Sequence, residues 1–231
     1  MTVAVVVPAA GRGERLGAGG PKALRLIAGR TLLQHAVDRL HRARTVDLVV
    51  VAVPPGEQDR LAAELGVRTV AGGADRQASV AAALAALPVD VHVVLVHDAA
   101  RPFAPPSLVD AVAEAVLAGA PAVVPGLPVV DTIKRVDLAG RVLETPRRDT
   151  LRAIQTPQGF RRDVLEAAHR HDRGAHPATD DAGLVELLGE PVLVIPGHED
   201  AFKVTRPADL GRAEALLAAA APLAAKPRAR R

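Results

Sequence analysis

Short apolar runs and amphipathic stretches alternate along most of this chain. Thr2–Val7, Asp47–Val53, Val67–Val70, Val91–Val96, Ala122–Val124 and Val192–Ile195 are dominated by valine and alanine. Their length and β-branched content predict buried strands. Helical spacing runs through Thr31–Ala43, Glu57–Leu65, Gln77–Leu87, Ser107–Ala118, Arg162–Arg170, Thr179–Leu188 and Pro207–Ala221. Thr31 and Ser107 stand at N-cap positions, and Asp110 follows Ser107 at capping-box spacing. The alternation predicts an α/β fold: a mainly parallel mixed sheet with helices on both faces. Right-handed crossovers then gather the loops after the strand C-termini on one edge, where ligands bind.

One region departs from this rhythm. Between Pro128 and Gln155, the β-prone runs Val129–Val136 and Arg141–Glu144 flank Asp137–Gly140. That pattern predicts a β-hairpin arm projecting from the body, suited to dimerisation or to reaching into a site. With no repeat and no interdomain linker, the expectation is one domain over residues 1–221, an arm at about 128–155, and a disordered basic tail over 222–231.

The loop after the first strand carries the first chemical signal. Its segment PAAGRGERLGAGGPK (Pro8–Lys22) follows the apolar strand directly. Small Ala9 and Ala10 leave the backbone open, and Gly11 and Gly13 allow close approach of a phosphate to main-chain N–H groups. Arg15 and Lys22 add positive charge suited to a polyphosphate. The string lacks the G-x-x-x-x-G-K-[ST] pattern of a P-loop. It also departs from G-x-G-x-x-G, with Leu16 in place of the third glycine and Asp38 inside a helical stretch. A merely flexible loop is the competing account.

Composition narrows the partners. The formal net charge is +3, with a pI near 9.9, but the final KPRARR holds four positive charges, and without them the net charge is −1. The basicity is a property of the tail. With three Phe and neither Trp nor Tyr, the chain lacks the aromatic platforms that stack exposed bases, so no nucleic-acid partner is expected. Apolar runs stop well short of the roughly 20 residues of a membrane span, and no membrane partner is expected. The absence of cysteine and the direct entry into a strand point to a cytoplasmic setting.

Several further strings follow in order: GGADRQASV (Gly72–Val80), VHDAARPF (Val96–Phe103), DTIKR (Asp131–Arg135), QTPQGF (Gln155–Phe160), TDDAGLVE (Thr179–Glu186) and FKVTRPADL (Phe202–Leu210). Together with AAGRGERLG, this series resembles the 2-C-methyl-D-erythritol 4-phosphate cytidylyltransferases of the non-mevalonate isoprenoid pathway. The resemblance covers nearly the whole chain. It implies a Rossmann-like fold of the nucleotide-diphospho-sugar transferase type. It also implies transfer of CMP from CTP to 2-C-methyl-D-erythritol 4-phosphate with release of pyrophosphate, Mg²⁺ or another divalent cation as cofactor, and a homodimer joined through the arm.

On this resemblance, Arg15, Lys22 and Lys203 face the reacting α-phosphate. Pro8–Gly11, Gly13, Gly73, Ala74, Asp75, Ser79, Asp98 and Ala99 surround the nucleotide, with the Ser79 hydroxyl reading cytosine. Asp98, Arg101, Thr132, Arg148, Thr156, Thr179 and Lys203 belong to the acceptor side, Thr132 and Arg148 reaching across from the partner's arm. Asp98, with Asp200 as a weaker candidate, would hold the cation. The chain has Ala201 where the family usually has Asn. Plainer accounts stand beside these: a turn hydrogen bond for Asp98, a structural pairing with Asp98 for Arg101, a local helix contact for Ser79, a strand-edge lysine for Lys203 and β-propensity for the arm threonines. His169, His171 and His176, with Asp180 and Asp181, suggest a metal cluster only superficially, because His-x-His on a helix turns the rings to different faces. A solvated helix end is expected there, with His97 supporting the site. The nucleotide loop leaves open another polyol phosphate as acceptor, such as ribitol phosphate, or a non-catalytic nucleotide-binding domain.

Overall fold

The computed structural model describes residues 1–11, 21–171 and 179–220. Gly13, Arg15, His176 and the basic tail lie outside the described residues. In chain order the elements are β1 (Thr2–Pro8), the short pair β2 (Leu26–Ile27) and β3 (Arg30–Thr31), α1 (Leu32–His41), β4 (Leu48–Val53), α2 (Gln58–Leu65), β5 (Arg68–Ala71), α3 (Arg76–Ala85), β6 (Val91–Val96), α4 (Pro106–Leu117) and β7 (Ala122–Pro128). The hairpin strands β8 (Arg135–Val136) and β9 (Val142–Glu144) follow, then β10 (Arg152–Ile154), β11 (Gln158–Arg161), α5 (Arg162–Arg170), α6 (Asp181–Leu187), β12 (Val192–Pro196) and α7 (Pro207–Ala220).

Among the described residues the main sheet has eight strands in the order β10-β7-β11-β6-β1-β4-β5, with β12 also paired to β7. The pairs β1–β4, β1–β6, β4–β5 and β7–β12 are parallel, whereas β11 runs antiparallel between β6 and β7. Both faces are covered, which is why the central strands read as continuous apolar runs. On β1, Val3, Val5 and Val7 pack with Leu33 and Leu40 of α1 and Val112 of α4. Ala4 and Val6 face the other way, toward Val80 of α3, Leu165 of α5 and Leu184 of α6. Strand periodicity thus sorts one valine run into two helix layers.

Two local expectations change. Thr31 forms the expected N-cap, as a reciprocal capping box with Gln34. Ser107 does not cap α4: Pro105 occupies the N-cap and Pro106 the first turn, where a missing N–H costs nothing. Asp110 is buried and accepts instead from the backbone N–H and hydroxyl of Thr45, both at 2.9 Å. Helix α6 begins at Asp181 with Asp180 as N-cap, so Thr179 precedes the helix.

The arm grows out of the sheet. β7 and β10 are antiparallel neighbours, Gly126–Pro128 against Arg152–Ile154, and the chain between them leaves the body as a hairpin. Its turn is closed by the Asp137 carboxylate, which accepts from the backbone N–H of Ala139 and Arg141, and by Gly140 at φ +79°. Val130, Val142 and Leu143 are more than half exposed on it.

Candidate functional site

The C-terminal ends of β1, β5 and β6 converge on a cleft of about 840 Å³, a size that suits a nucleotide. Pro8–Gly11, Lys22, Gly73–Asp75, Ser79, Asp98, Ala99 and Lys203, all named from the sequence, line it together. A smaller hollow of about 370 Å³ opens at the opposite edge of the sheet, beside His41, Leu48 and Arg68, and gathers none of those residues.

The walls are backbone brought unusually close. The Ala9 N–H donates to the Ala52 carbonyl at 2.7 Å, extending β1 beyond its pairing. A Cβ on Gly72 would fall 2.4 Å from the Ala10 Cβ, and one on Gly73 would fall 2.3 Å from the Ala78 Cβ. These two positions therefore demand glycine for close approach, whatever their φ. Asp75 caps α3, its carboxylate accepting from the Ala78 N–H at 2.7 Å. The Ser79 hydroxyl donates to the Asp75 carbonyl at 2.8 Å and accepts from the Gly73 N–H at 3.2 Å. Ser79 thus lines the cleft while its hydroxyl shapes the Gly72–Asp75 turn.

Charge concentrates on Asp98, just past β6. Its Oδ2 accepts from Lys203 Nζ at 2.7 Å and its Oδ1 from Arg76 Nε at 3.2 Å. Burial pushes this carboxyl up, but Arg76, Lys203 and Arg101 more than offset that and hold it well below the usual carboxylate range. Asp98 is ionised at neutral pH. Lys203 is aimed by its neighbours: Val204 is fully buried and its N–H donates to the Ala100 carbonyl at 2.8 Å, while the Ala201 carbonyl accepts from Arg101 Nη1 at 2.7 Å.

The Arg101 guanidinium donates to the carbonyls of Ala201 and Ile154. It staples the Asp98 loop to the Lys203 loop and to β10, and burial lowers its basicity. Thr156 is buried beside Asp98. His97 Nε2 sits 3.2 Å from the Arg101 carbonyl and so carries the proton, which leaves Nδ1 to accept from the Thr156 hydroxyl at 3.1 Å. The same hydroxyl accepts from the Asp98 N–H at 3.0 Å. His97 thereby supports the site, as expected, by fixing the backbone of Asp98.

Burial is the largest influence on His97 and pushes it down to about 4, against 6.5 in an unfolded chain. Between those values the unfolded chain binds the extra proton, so stability falls as pH drops from 6.5 to 4, by up to about 3 kcal/mol. Urea midpoints measured from pH 7 to 4.5 should decline accordingly, and the slope should flatten in His97→Gln. A wild-type midpoint constant over that range contradicts the assignment.

Arg76 is the residue the sequence reading missed. It is part of GGADRQASV, but at the start of a helix an arginine reads as surface charge. In the fold it lines the cleft and bridges Asp98 to Asp181, with Nη1 at 2.6 Å from the Asp181 carboxylate. Burial would lower its pKa, yet Asp181 and Asp98 raise it. The expected solvated helix end is also corrected. Asp181 and the His169 side chain are buried and joined, Nε2 to Oδ1, at 2.9 Å, whereas His171 is exposed. Burial pushes the Asp181 carboxyl up, but His169 and Arg76 hold it below its ordinary value.

Other assignments fall outside the cleft of the single chain. Thr132 and Arg148 are exposed on the arm, where Arg148 Nη1 donates to the Val130 carbonyl at 3.0 Å. Thr179 is exposed before α6. Asp200 does not line the cleft; its N–H donates to His198 Nδ1. Among the described residues no cluster of three acids or histidines is set to hold a metal ion. Asp98 offers a buried, ionised carboxylate at the cleft, a donor that fits Mg²⁺ held mainly by phosphate oxygens and water. No described helix is long and apolar enough to cross a membrane.

The family model of 2-C-methyl-D-erythritol 4-phosphate cytidylyltransferase matches residues 3–219. A protein of that name from Frankia casuarinae is 62% identical over 218 residues, covering 94% of this chain and 81% of the relative. One from Streptomyces avermitilis is 53% identical over 230 residues, covering 93% and 91%. Among solved structures, the enzyme of the same name from Thermus thermophilus superposes with a TM-score of 0.78 at 42% identity, covering 94% of this chain and 98% of that one.

Proposed function

Since the chain belongs to the 2-C-methyl-D-erythritol 4-phosphate cytidylyltransferase family, we propose that it transfers CMP from CTP to 2-C-methyl-D-erythritol 4-phosphate. The observation that carries the reading to these residues is the Lys203–Asp98–Arg76 group at the floor of a cleft walled by glycine-spaced backbone.

The nucleophile is an oxygen of the acceptor phosphate, already largely ionised at neutral pH because its second pKa is about 6. No side chain has to remove a proton, and the cleft presents cations and backbone donors instead of a base. The acceptor oxygen attacks the α-phosphorus, the bond from that phosphorus to the bridging oxygen breaks, and pyrophosphate leaves with the electron pair. Lys203, Lys22 and Arg15 offset charge on the α-phosphate and the leaving group, as preorganised donors do. Gly73–Asp75 and Ser79 shape the wall against the cytosine. Asp98 keeps Lys203 extended into the cleft and is the residue that would hold a divalent cation. Bound there with the triphosphate, such a cation supplies Lewis-acid neutralisation of the phosphate oxygens. Thr156 and Thr179 belong to the acceptor end of this reading. The cysteine-free composition suits a cytoplasmic enzyme.

In this reading the working unit is a homodimer in which Thr132 and Arg148 of each arm grip the acceptor in the partner's cleft. Two features support it. Neither residue lines its own chain's cleft, and a two-stranded hairpin with exposed Val130, Val142 and Leu143 is marginal unless it packs on something.

The test is pyrophosphate release from CTP with Mg²⁺, with methylerythritol phosphate or ribitol phosphate as acceptor. Release with the former alone is expected; release only with ribitol phosphate overturns the acceptor, and CTP binding without turnover overturns the catalysis. Arg148→Ala and Lys203→Ala should each be nearly inactive. After mixing and subunit exchange, about a quarter of all sites should carry neither substitution, and activity should return to about that level. No recovery despite demonstrated exchange places Arg148 in its own subunit's site.

A further inference from the structure

Behind the cleft lies a run of buried charge that the reaction as derived does not use. Asp181, the first residue of α6, has no exposed surface. One of its oxygens takes Arg76 Nη1 at 2.6 Å and the other faces His169 Nε2 at 2.9 Å. The His169 side chain is 6% exposed, and its Nδ1 is buried without a hydrogen-bond partner among the described residues. Stability alone does not account for this arrangement, because a buried ion pair is on balance no better than apolar packing of the same volume. Capping does not account for it either, since Asp180 serves the N-terminus of α6.

We propose that Asp181, steadied by His169, is a positioning residue that holds the Arg76 guanidinium at the floor of the nucleotide cleft. Arg76 has two counter-ions, of which Asp181 is the nearer, at 2.6 Å against 3.2 Å for Asp98. Asp98 is shared with Lys203 and lies in the cleft, where incoming phosphates compete for both cations. Asp181 lies behind, where no substrate displaces it. It keeps Arg76 from collapsing onto Asp98 before CTP arrives and from swinging out with the phosphates afterwards. With Asp181 neutral, Arg76 has Asp98 as its remaining counter-ion and is drawn onto it. That displaces Lys203 and quenches the positive face of the cleft. The 42% exposed Lys203 side chain has room to move aside.

The inference rests on the reading of the cleft as the CTP site. Its test is a double-mutant cycle in the full chain with Asp181→Asn, Arg76→Ala and the pair, read by kcat/KM, by calorimetric binding of CTP without acceptor, and by melting temperature. Asp181→Asn should lower kcat/KM about 10- to 100-fold, as misplacement of a binding group does. In the Arg76→Ala background the same change should cost less than about threefold, because the residue through which it acts is gone. Equal losses in both backgrounds, or near-wild-type activity of Asp181→Asn, overturn the proposal. If Asp181→Asn does not fold, His169→Gln is run through the same cycle, with a loss of about 3- to 10-fold expected only where Arg76 is present. Failure of the wild type to bind or turn over CTP overturns the CTP reading and this proposal together. Normal wild-type turnover with an additive cycle overturns the proposal alone.

Discussion

Lys203→Ala should lower the single-turnover rate about 100- to 1,000-fold, the loss typical of removing one preorganised donor from a developing charge. It should leave the fold intact. Lys203 is 42% exposed, and its backbone is held by the Val204 N–H and the Ala201 carbonyl, neither of which depends on the ammonium. Asp98 is not orphaned either, because Arg76 still faces its other oxygen. The melting temperature should therefore stay within a few degrees of wild type, as for other substitutions away from a packed core. Lys203→Arg should recover little, since a planar fork cannot occupy the place of a compact ammonium. Rapid-quench measurement with saturating CTP checks this. A loss below about tenfold removes Lys203 from the α-phosphate.

Asp98→Asn should fail differently, losing activity and stability together. The carboxylate is buried between Arg76 and Lys203. Removing its charge leaves two cations facing a neutral amide, and breaking a buried pair costs about 3–5 kcal/mol. Arg76 keeps Asp181, which places the cost nearer the lower figure. The acid limb of stability should change as well. Asp98 and Asp181 are both held below the ordinary carboxylate value, so the unfolded chain takes up their protons first as pH falls. Their contribution is complete above the unfolded pKa of about 4 and is lost as pH drops below it toward the folded values. This window lies beneath the one assigned to His97. Urea unfolding of wild type and Asp98→Asn from pH 5 to pH 2 should show a shallower decline for the variant. Parallel curves would mean that Asp98 is not the coupled group.

The two variants separate the roles of one ion pair: the lysine acts outward on the substrate, the aspartate inward on the site's own cations. The hydrogen bonds of Arg101, Thr156 and His97 support Asp98 from within: they end on backbone, on each other or on Asp98's own N–H.

Much of the fold is legible along the chain because its determinants are local. The valine runs of β1, β4 and β6 lack polar alternation because both sheet faces are covered, and apolar content alone identifies such strands. The Thr31 N-cap is readable because the helix it serves starts at the next residue. The antiparallel insertion of β11 between β6 and β7 is not readable, since QGFR carries no mark of its neighbours. At the site, glycines near phosphate and a lysine after a strand are recognisable as residue types. The direction in which a side chain turns is not: nothing along the chain shows that Arg101 reaches the Ala201 and Ile154 carbonyls, and Ser107 reads as a cap but lies inside a helix that two prolines begin.

By itself the sequence determined the layer architecture, the glycine loop, the arm and the residues from which a phosphate site can be built, because spacing and composition act over a few residues. Only the tertiary structure decided which charges meet. Asp98 and Lys203 are 105 positions apart, as are Arg76 and Asp181. Such contacts depend on strand order and on burial, which strips water from a carboxylate and obliges it to find its cation wherever the chain returns.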